Sequence, residues 1–300
     1  GDQLSQSVAV MSFSRLCDEV GRNTGGIAAG TLTDAQKVVF MNRALLSVKE
    51  SLTLWQRYCG IVSCAKTMLD TVGEFKINSV TADDLRLAAA SLNSEKLKHK
   101  LNDAAIIYEA YDMLVGEKYI DPADELTRLY TKLSDYKYFE NKAVFIDSFK
   151  GFTGQQFKII DRILAQTDEV TVSLTNDPRL NAEFNVFTNI RAAAEKIRRI
   201  AARHAVKEDE PLCLFESRYN SPEISALERL IASDEFERPQ KCDGITVCAA
   251  ATAADEAEFA VRTIRRLVRE NGMRYRDFVI ISRDSDKYDA AVTAACLQNG

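Results

Sequence analysis

The chain has 300 residues, is 46% hydrophobic and 28% charged, and carries a formal net charge of -5. This composition is typical of a globular protein with one large or two medium domains, and it excludes a disordered or fibrous chain. The negative net charge gives no overall signature of nucleic-acid binding, so any such contact is local. The 7 cysteines lack framework spacing, which indicates reduced thiols in the cytosol, and no apolar run reaches the length of a membrane span.

The cysteine and histidine positions do not form a metal-binding motif. Cys59 and Cys64 are the closest cysteine pair, and they lie on a helical pattern without a second pair or a histidine nearby. His99 and His204 lie in charged helical contexts that are typical of solvated positions. The chain begins without Met and ends directly after an amphipathic segment, so we expect an internal piece of a longer protein.

The first elements are a strand and a helix. Ser7 to Met11 is a short apolar run that predicts a buried strand. A helix follows and extends to about Val20, with Ser12 or Ser14 as its N-cap.

A glycine-rich stretch from Gly21 to Gly30 follows this helix. Gly25 and Gly30 have the outer spacing of a phosphate-binding P-loop, but Thr31 and Leu32 replace its Lys and Ser/Thr. A helix also precedes the stretch, where a P-loop needs a strand. We therefore reject it as a nucleotide site and interpret it as a surface turn.

A helical pattern extends from Thr33 to Glu140. The second helical stretch, Ser51 to Val72, has a candidate break at Gly60. The pattern predicts helix starts near Asp34, Ser51, Thr81, Ser94 and Ala123. A helical block of this size between strands predicts an inserted helical subdomain.

The stretch from Lys142 to Leu164 predicts a strand, a polar turn and an amphipathic helix. Ala143 to Ile146 is a continuous apolar run, as expected of a parallel strand covered on both faces. Asp147 follows at the carboxyl end of that strand, where ligands bind in open α/β sheets. An acid there suits a metal-bound phosphate, as in the Walker B position of nucleotide-binding motors, and the alternative is a capping aspartate.

Strands and helices alternate through the rest of the chain. Strands are predicted at Glu169 to Leu174, Pro211 to Phe215, Ile245 to Ala250 and Phe278 to Ser282. Helices are predicted at Asn185 to Ala205, Ser221 to Ile231, Ala254 to Asn271 and Asp286 to Leu297, and the first of them is basic. Ser233 to Asp243 is polar and is the best domain boundary. This order predicts a mostly parallel, doubly wound sheet with a second α/β unit near the end.

Four pieces together resemble one family. The first is Val10 to Leu16, which is similar to helicase motif Ia, and the second is Lys96 to Asp124, with Lys–Leu–x–Asp, Ile–Tyr–x–x–Tyr and Tyr–x–Asp elements. The third is Phe145 to Thr153, close to an Ile–Asp–Gly–Phe–x–x–Phe–Thr signature. The fourth is Glu256-x-Glu258 on a helix and then Tyr275 to Asp284, similar to the start of a second motor domain with its motif IV arginine. The chain thus resembles the AddB/RexB family, the second of the two subunits of the ATP-dependent helicase/deoxyribonuclease.

This resemblance implies a P-loop NTPase-like fold of the superfamily-one helicase kind, with a large all-helical insertion. It implies a first α/β motor domain at 1–32 and 141–232 without its P-loop, a helical insertion at 33–140, and the start of a second α/β domain at 243–300. The family's P-loop lies before this piece, and a nuclease domain with an iron–sulfur cluster lies after it.

The resemblance implies a degenerate nucleotide and magnesium site at Asp147, Gln156 and Arg283, without a catalytic residue. Active helicases of this superfamily have Asp–Glu at the end of the strand, whereas Ser148 follows Asp147 here. The stretch from Thr175 to Pro178 also does not match the motif that senses the γ-phosphate. We therefore expect weak or no ATP turnover.

The candidate DNA-binding residues are Ser12, Phe13, Ser14 and Arg15. Hydroxyl groups and an Arg beside a helix N-terminus suit a phosphate, and an aromatic ring can stack on a base. The alternative is that Phe13 is a core residue and Ser12 only a cap. For Arg283, the alternative is a surface ion pair with Asp284 or Asp286. For the basic helix after Asn185, the favoured interpretation is a solvated face or a contact with a partner subunit.

The function that the resemblance implies is that of a helicase-like, DNA-engaging subunit of a helicase–exonuclease that acts in double-strand break repair and recombination. The expected partners are the helicase–nuclease A subunit, in a heterodimer, and DNA ends, and the expected location is the cytoplasm. ATP and Mg²⁺ are implied for the full-length family, while we expect this piece to lack ATPase and nuclease activity. The alternative function is a scaffold of the complex without direct DNA contact.

Overall fold

A computed structural model describes residues 8–25, 30–116, 119–177, 186–214, 221–233 and 244–299, with the side chain of residue 233 left out. The chain divides into two compact units, residues 1–213 and 214–300. In the described residues both units are mostly helical, and the two small parallel sheets lie in the first unit. The mixed α/β class is confirmed, whereas the P-loop NTPase-like fold with a doubly wound sheet stays a prediction, and the described residues 244–299 contain helices but no strand. None of the described helices is long and apolar enough to cross a membrane.

The first unit contains eight described helices. They are α1 (Phe13–Thr24), α2 (Asp34–Ser47), α3 (Val62–Ile77), α4 (Ala82–Ser91), α5 (Glu95–Gly116), α6 (Glu125–Asp135), α7 (Gly154–Gln166) and α8 (Thr188–Arg203). Short 3₁₀ turns occupy Lys49–Ser51, Gln56–Tyr58 and Pro122–Asp124. Most of the helix predictions are therefore confirmed, but the helix predicted to begin near Ser51 begins only at Val62, after the break near Gly60, whose φ is 91°.

Local capping chemistry explains where several helices begin. Ser12 caps α1, and its side chain accepts a hydrogen bond from the Arg15 backbone N–H. Thr33, Thr81 and Thr153 form capping boxes at the starts of α2, α4 and α7. The first residue of each of these helices is therefore set by side chains that lie within one helical turn of the N-cap.

Two parallel pairs of strands make up the described sheets. In one, β1 (Gly30–Thr31) pairs with β2 (Tyr119–Ile120), which no sequence pattern predicted. In the other, β3 (Ala143–Ile146) pairs with β4 (Glu169–Val172), with Ala143 opposite Glu169 and Ile146 opposite Val172. The expectation that β3 is covered on both faces is wrong, because Phe145 is 70% exposed.

Four other strand predictions are wrong for the residues that the structure describes. Residues 8–11, 211–214, 245–250 and 278–282 are neither strand nor helix. A strand is stabilised by its neighbours, and these segments pair with no described strand, which leaves Val10 and Ile281 85% exposed or more. The glycine-rich turn also begins later than predicted, because Gly21 lies inside α1. Residues 26–29 and most of the predicted boundary at Ser233 to Asp243 lie outside the described residues.

The first unit has two separate hydrophobic cores. The first core joins α2, α3, α4 and α5, with Met41, Leu45, Ile107 and Tyr111 fully buried. The second core joins α1, α6, α7, α8 and the sheet of β3 and β4, with Val20, Ile159 and Ile160 fully buried. Helix α6, which falls inside the predicted helical insertion, thus contributes to the second core, and the domain limits stay a prediction.

The second unit, described by itself, contains α9 (Pro222–Ser233), α10 (Ala253–Asn271) and α11 (Ser285–Asn299). Thr252 caps α10, and Gly272 ends it in the left-handed conformation with a φ of 68°. Helices α10 and α11 pack together, and Ala257 and Ala295 are buried.

Candidate nucleotide and nucleic-acid site

Asp147 lies at the carboxyl end of β3, as the sequence predicts, and its side chain is exposed. The hydroxyl of Ser173, which directly follows β4, donates to one carboxylate oxygen, and the Ser148 hydroxyl donates to the other at 3.3 Å. These hydrogen bonds, that of Ser173 first, hold the pKa of Asp147 below its ordinary value. Asp147 is therefore an ionised, exposed carboxylate.

The capping alternative for Asp147 is wrong, because Thr153 is the N-cap of α7. The Thr153 side chain accepts from the Gln156 N–H at 3.3 Å, and the Gln156 side-chain oxygen accepts from the Thr153 N–H at 2.9 Å. Gln156 is thus occupied in a capping box, and no described hydrogen bond joins it to Asp147.

The loop between β3 and α7 brings the predicted DNA-binding stretch beside the predicted nucleotide stretch. The ring of Phe13 lies edge-on to that of Phe149, with centroids 5.5 Å apart. Phe149 stacks on Phe152 at 5.1 Å, and Phe152 meets Phe157 at 5.5 Å. Because Phe149 and Phe152 follow Asp147 in this loop, one aromatic row links the start of α1 to the end of β3.

The alternative interpretation, in which Ser12 is a helix cap and Phe13 a core residue, is partly met in the structure. Ser12 is the cap of α1, and Phe13 is half-buried against the second core. Ser14 and Arg15 are exposed, and Arg15 forms no ion pair with any described residue. Their DNA-binding role stays a prediction, carried by Arg15 and the aromatic row.

Arginines of the basic helix α8 form ion pairs with nearby carboxylates. Arg198 pairs with Glu195 and Glu208, each at 2.8 Å, and Arg203 pairs with Asp161 at 3.2 Å. These pairs favour the interpretation as a solvated face. Lys196 is different, since its ammonium group lies 4.1 Å from the centroid of the Phe157 ring at the end of the aromatic row.

Arg283 belongs to the second unit and precedes α11. Its side chain is exposed, and it forms no ion pair with Asp284 or Asp286 in the part of the chain that the structure describes. The surface ion-pair alternative is therefore not observed. Its contact with a nucleotide stays a prediction.

A buried ion cluster was missed by the sequence patterns. The Lys76 side chain is 1% exposed, and its ammonium group lies 2.7 Å from Asp112, 3.1 Å from Asp121 and 2.6 Å from Asp124. Burial raises the pKa of Asp112 and of Asp124, while Lys76 opposes that rise. The signal in the sequence is a lysine four residues after Val72, on the apolar face of α3.

The start of α7 contacts the end of α3 and residues 123–127, the two segments that carry Lys76 and Asp124. A Cβ on Gly154 would lie 2.0 Å from the backbone oxygen of Asn78, at the end of α3. The buried Gln155 side chain donates to the Ala123 carbonyl at 2.7 Å and to the Thr127 hydroxyl at 2.9 Å. The loop that carries Asp147 therefore ends at a helix whose first turn is fixed against α3 and residues 123–127.

The described residues contain no group of three or more His, Cys, Asp or Glu side chains that could hold a metal ion. The fold and the candidate site thus define a mixed α/β protein with a separate helical core and an exposed acid at the end of a parallel strand.

Comparison with known proteins identifies the family. The family model described as "ADDB, N-terminal" matches residues 1–228, and the chain belongs to this family. It is 29% identical over 292 residues to the B subunit of the ATP-dependent helicase/deoxyribonuclease of Clostridium novyi, and the match covers 95% of this chain and 26% of that protein. The same subunit of Caldanaerobacter subterraneus subsp. tengcongensis is 30% identical over 292 residues, covering 95% of this chain and 25% of that protein. The chain thus spans about a quarter of the length of these relatives.

Proposed function

We propose that this chain is part of a helicase-like, DNA-engaging subunit of an ATP-dependent helicase–nuclease that acts on DNA ends in double-strand break repair and recombination. Membership of the AddB family and the names of its relatives support this proposal. The proposed partner is an A subunit in a cytoplasmic heterodimer, and the proposed architecture is that of a superfamily-one helicase with an incomplete first motor domain.

The observation that carries the proposal is the contact between Phe13 and Phe149. It places the N-terminus of α1 beside the loop that follows Asp147, and Arg15, in the first turn of α1, is exposed and forms no ion pair with a described residue. An exposed guanidinium and a helix N-terminus bind a phosphate, and aromatic side chains next to them suit stacking with unpaired bases. The ligand that fits this arrangement is single-stranded DNA.

The residues present fit magnesium and ATP only in part. Asp147 supplies one ionised carboxylate, but Ser148 takes the place of a second acid and Gln156 is occupied in the helix cap. Gly25 and Gly30 have no following lysine for the β- and γ-phosphates. These side chains do not complete a magnesium–nucleotide site by themselves.

DNA binding by the 300-residue chain tests the proposal. We expect fluorescence anisotropy to report binding of a labelled single-stranded oligonucleotide at low salt. Arg15→Ala should weaken this binding about 10-fold, since one charge-assisted phosphate contact is lost. It should also reduce the slope of log affinity against log salt by about 0.7, the value for one phosphate of a single strand.

Arg128→Ala is the matched control, because Arg128 is an exposed arginine on α6 without an ion pair to a described residue. This variant should bind like the parent chain. Absence of binding by every variant and by the parent would favour the scaffold function instead. DNA-stimulated ATP turnover by the isolated chain would contradict the proposal that its nucleotide site is incomplete.

A further inference from the structure

The surface loop between α2 and α3 is fixed by hydrogen bonds to a buried acid. Asp103 of α5 is 1% exposed, and its carboxylate accepts hydrogen bonds from three consecutive backbone N–H groups. The distances are 2.9 Å from Thr53, 2.7 Å from Leu54 and 3.2 Å from Trp55. Charge-assisted bonds to a buried carboxylate are strong, so the backbone that carries Trp55 is fixed before any ligand arrives.

Three planar groups lie together on this loop. The rings of Trp55 and Tyr58 are 5.9 Å apart at an interplanar angle of 58°. The guanidinium of Arg57 lies 4.8 Å from the centroid of the Tyr58 ring. Trp55 is half-buried against the first core, whereas Arg57 and Tyr58 are exposed. A planar guanidinium on an aromatic ring extends the flat surface on which a base can stack.

The same segment has a local excess of positive charge. Between residues 43 and 66 the cations are Arg43, Lys49, Arg57 and Lys66, and all four side chains are exposed. Glu50 is the only acid in this segment of the sequence. None of the four cations forms an ion pair with a described residue, whereas the chain as a whole has a net charge of -5.

Apolar side chains connect these charges into one surface. Leu46, Ile61 and Val62 are exposed, and a Cβ on Gly60 would lie 3.8 Å from the Leu46 side chain. The end of α2 and the start of α3 therefore meet at the loop. Arg43 is one helical turn before Leu46, and Lys66 is one turn after Val62, so both cations border this surface.

We propose that this surface, formed by residues 43–66 and here named the Trp55 surface, is a second binding site for single-stranded nucleic acid. The unpaired cations bind the phosphate backbone, and Arg57 and Tyr58 stack with bases without reading their sequence. The site is independent of the one proposed at Arg15, because Trp55 packs on the first core and Phe13 on the second. An acidic protein segment is the competing occupant, and the test separates the two.

Trp55 provides the readout, since it is the only tryptophan of the chain. We expect oligothymidylate to change Trp55 fluorescence in a saturable way at low salt. Tyr58→Ala should weaken this binding about fivefold or more, as expected when one base loses its stacking partner. Arg57→Gln should reduce the salt slope by about 0.7. Arg128→Gln, with unchanged far-UV circular dichroism as for the other variants, should match the parent.

Three outcomes would overturn the inference. The first is a fluorescence titration that Tyr58→Ala and Arg57→Gln leave unchanged. The second is an equal response to poly-L-glutamate, which would identify the surface as a site for an acidic protein. The third is loss of the Trp55 response in Arg15→Ala, which would mean that only the first site binds. A weaker anisotropy titration in Arg15→Ala, together with a Trp55 fluorescence titration whose midpoint is unchanged, would support both proposals separately.

Discussion

The close approach of α7 to α3 leads to a sharp prediction for Gly154→Ala. A Cβ at Gly154 would lie 2.0 Å from the oxygen, 2.3 Å from the carbonyl carbon and 2.9 Å from the Cα of Asn78. Each of these atoms is backbone, so no side-chain rotation can relieve the clash. The Asn78 backbone is itself held, because its N–H donates to the Glu74 carbonyl at 3.1 Å.

The magnitude follows from the displacement that the new methyl group demands. Ordinary contact begins near 3.4 Å, so the Asn78 oxygen has to move by roughly 1.4 Å relative to α7. Overpacking of this kind typically costs about 1–3 kcal/mol, and more where backbone has to shift. Alanine gains at most about 1 kcal/mol in helix propensity over glycine. We therefore expect a net loss of about 2 kcal/mol in the free energy of unfolding.

Gly73→Ala is the matched control for this substitution. Gly73 lies inside α3, and a Cβ there would meet no atom within 4 Å. The same change of residue should therefore raise the free energy of unfolding by about 0.5–1 kcal/mol. The two variants should shift the urea midpoint in opposite directions, with unfolding followed by far-UV circular dichroism and by Trp55 fluorescence, which reports on the first core.

A Gly154→Ala protein as stable as the parent would refute the reasoning, because it would mean that α7 and α3 do not approach so closely. A stabilised protein would refute it more strongly, since helix propensity alone would then explain the effect. If both glycine variants were destabilised equally, the cause would not be the contact with Asn78.

Two further predictions concern buried polar groups. Lys76→Met should lower the free energy of unfolding by about 3–5 kcal/mol at neutral pH, because the carboxylates around Lys76 lose their cation. Lys66→Met is the matched control: Lys66 is exposed, so the free energy of unfolding should change by at most about 0.5 kcal/mol. The deficit of Lys76→Met relative to the parent should shrink as the pH falls from neutral towards 3.8, the ordinary pKa. Lys76 opposes the rise that burial causes in the pKa of Asp112 and Asp124, so without Lys76 these pKa values rise further and the folded variant takes up protons at a higher pH than the folded parent. A deficit that grows in this range contradicts the cluster. Gln155→Ala should cost about 1–3 kcal/mol in urea unfolding, because its two acceptors lose their donor, and an unchanged midpoint would show that these hydrogen bonds are not made.

Much of the helical structure was predictable because its signals are local. Thr33 and Thr81 begin their helices with a glutamine or aspartate three residues later, and each pair satisfies its own backbone groups. The apolar run of β3 and the polar turn after it also placed Asp147 correctly at the end of a strand. The matching family model agrees with the resemblance that these motifs indicated.

The predicted strands that the structure does not contain had the same local signals but lacked neighbours. Val247 and Ile281 lie in apolar, β-branched segments, yet both side chains are largely exposed. Composition measures only the preference of a segment, whereas a strand also needs a partner for its backbone groups. The β3 segment has such a partner in β4, and residues 245–250 and 278–282 have none among the described strands.

The contacts that residues of the family motifs make are visible only in the tertiary structure. Asp103 holds the Trp55 loop, and Asp121 pairs with Lys76 from 45 residues away. Phe149 meets Phe13 from a distant part of the chain. The sequence by itself determined where helices begin and where an acid ends a strand, since those signals act within one turn. Which buried charges meet, and where Gly154 leaves no room for a methyl group, depended on chain segments that only folding brings together.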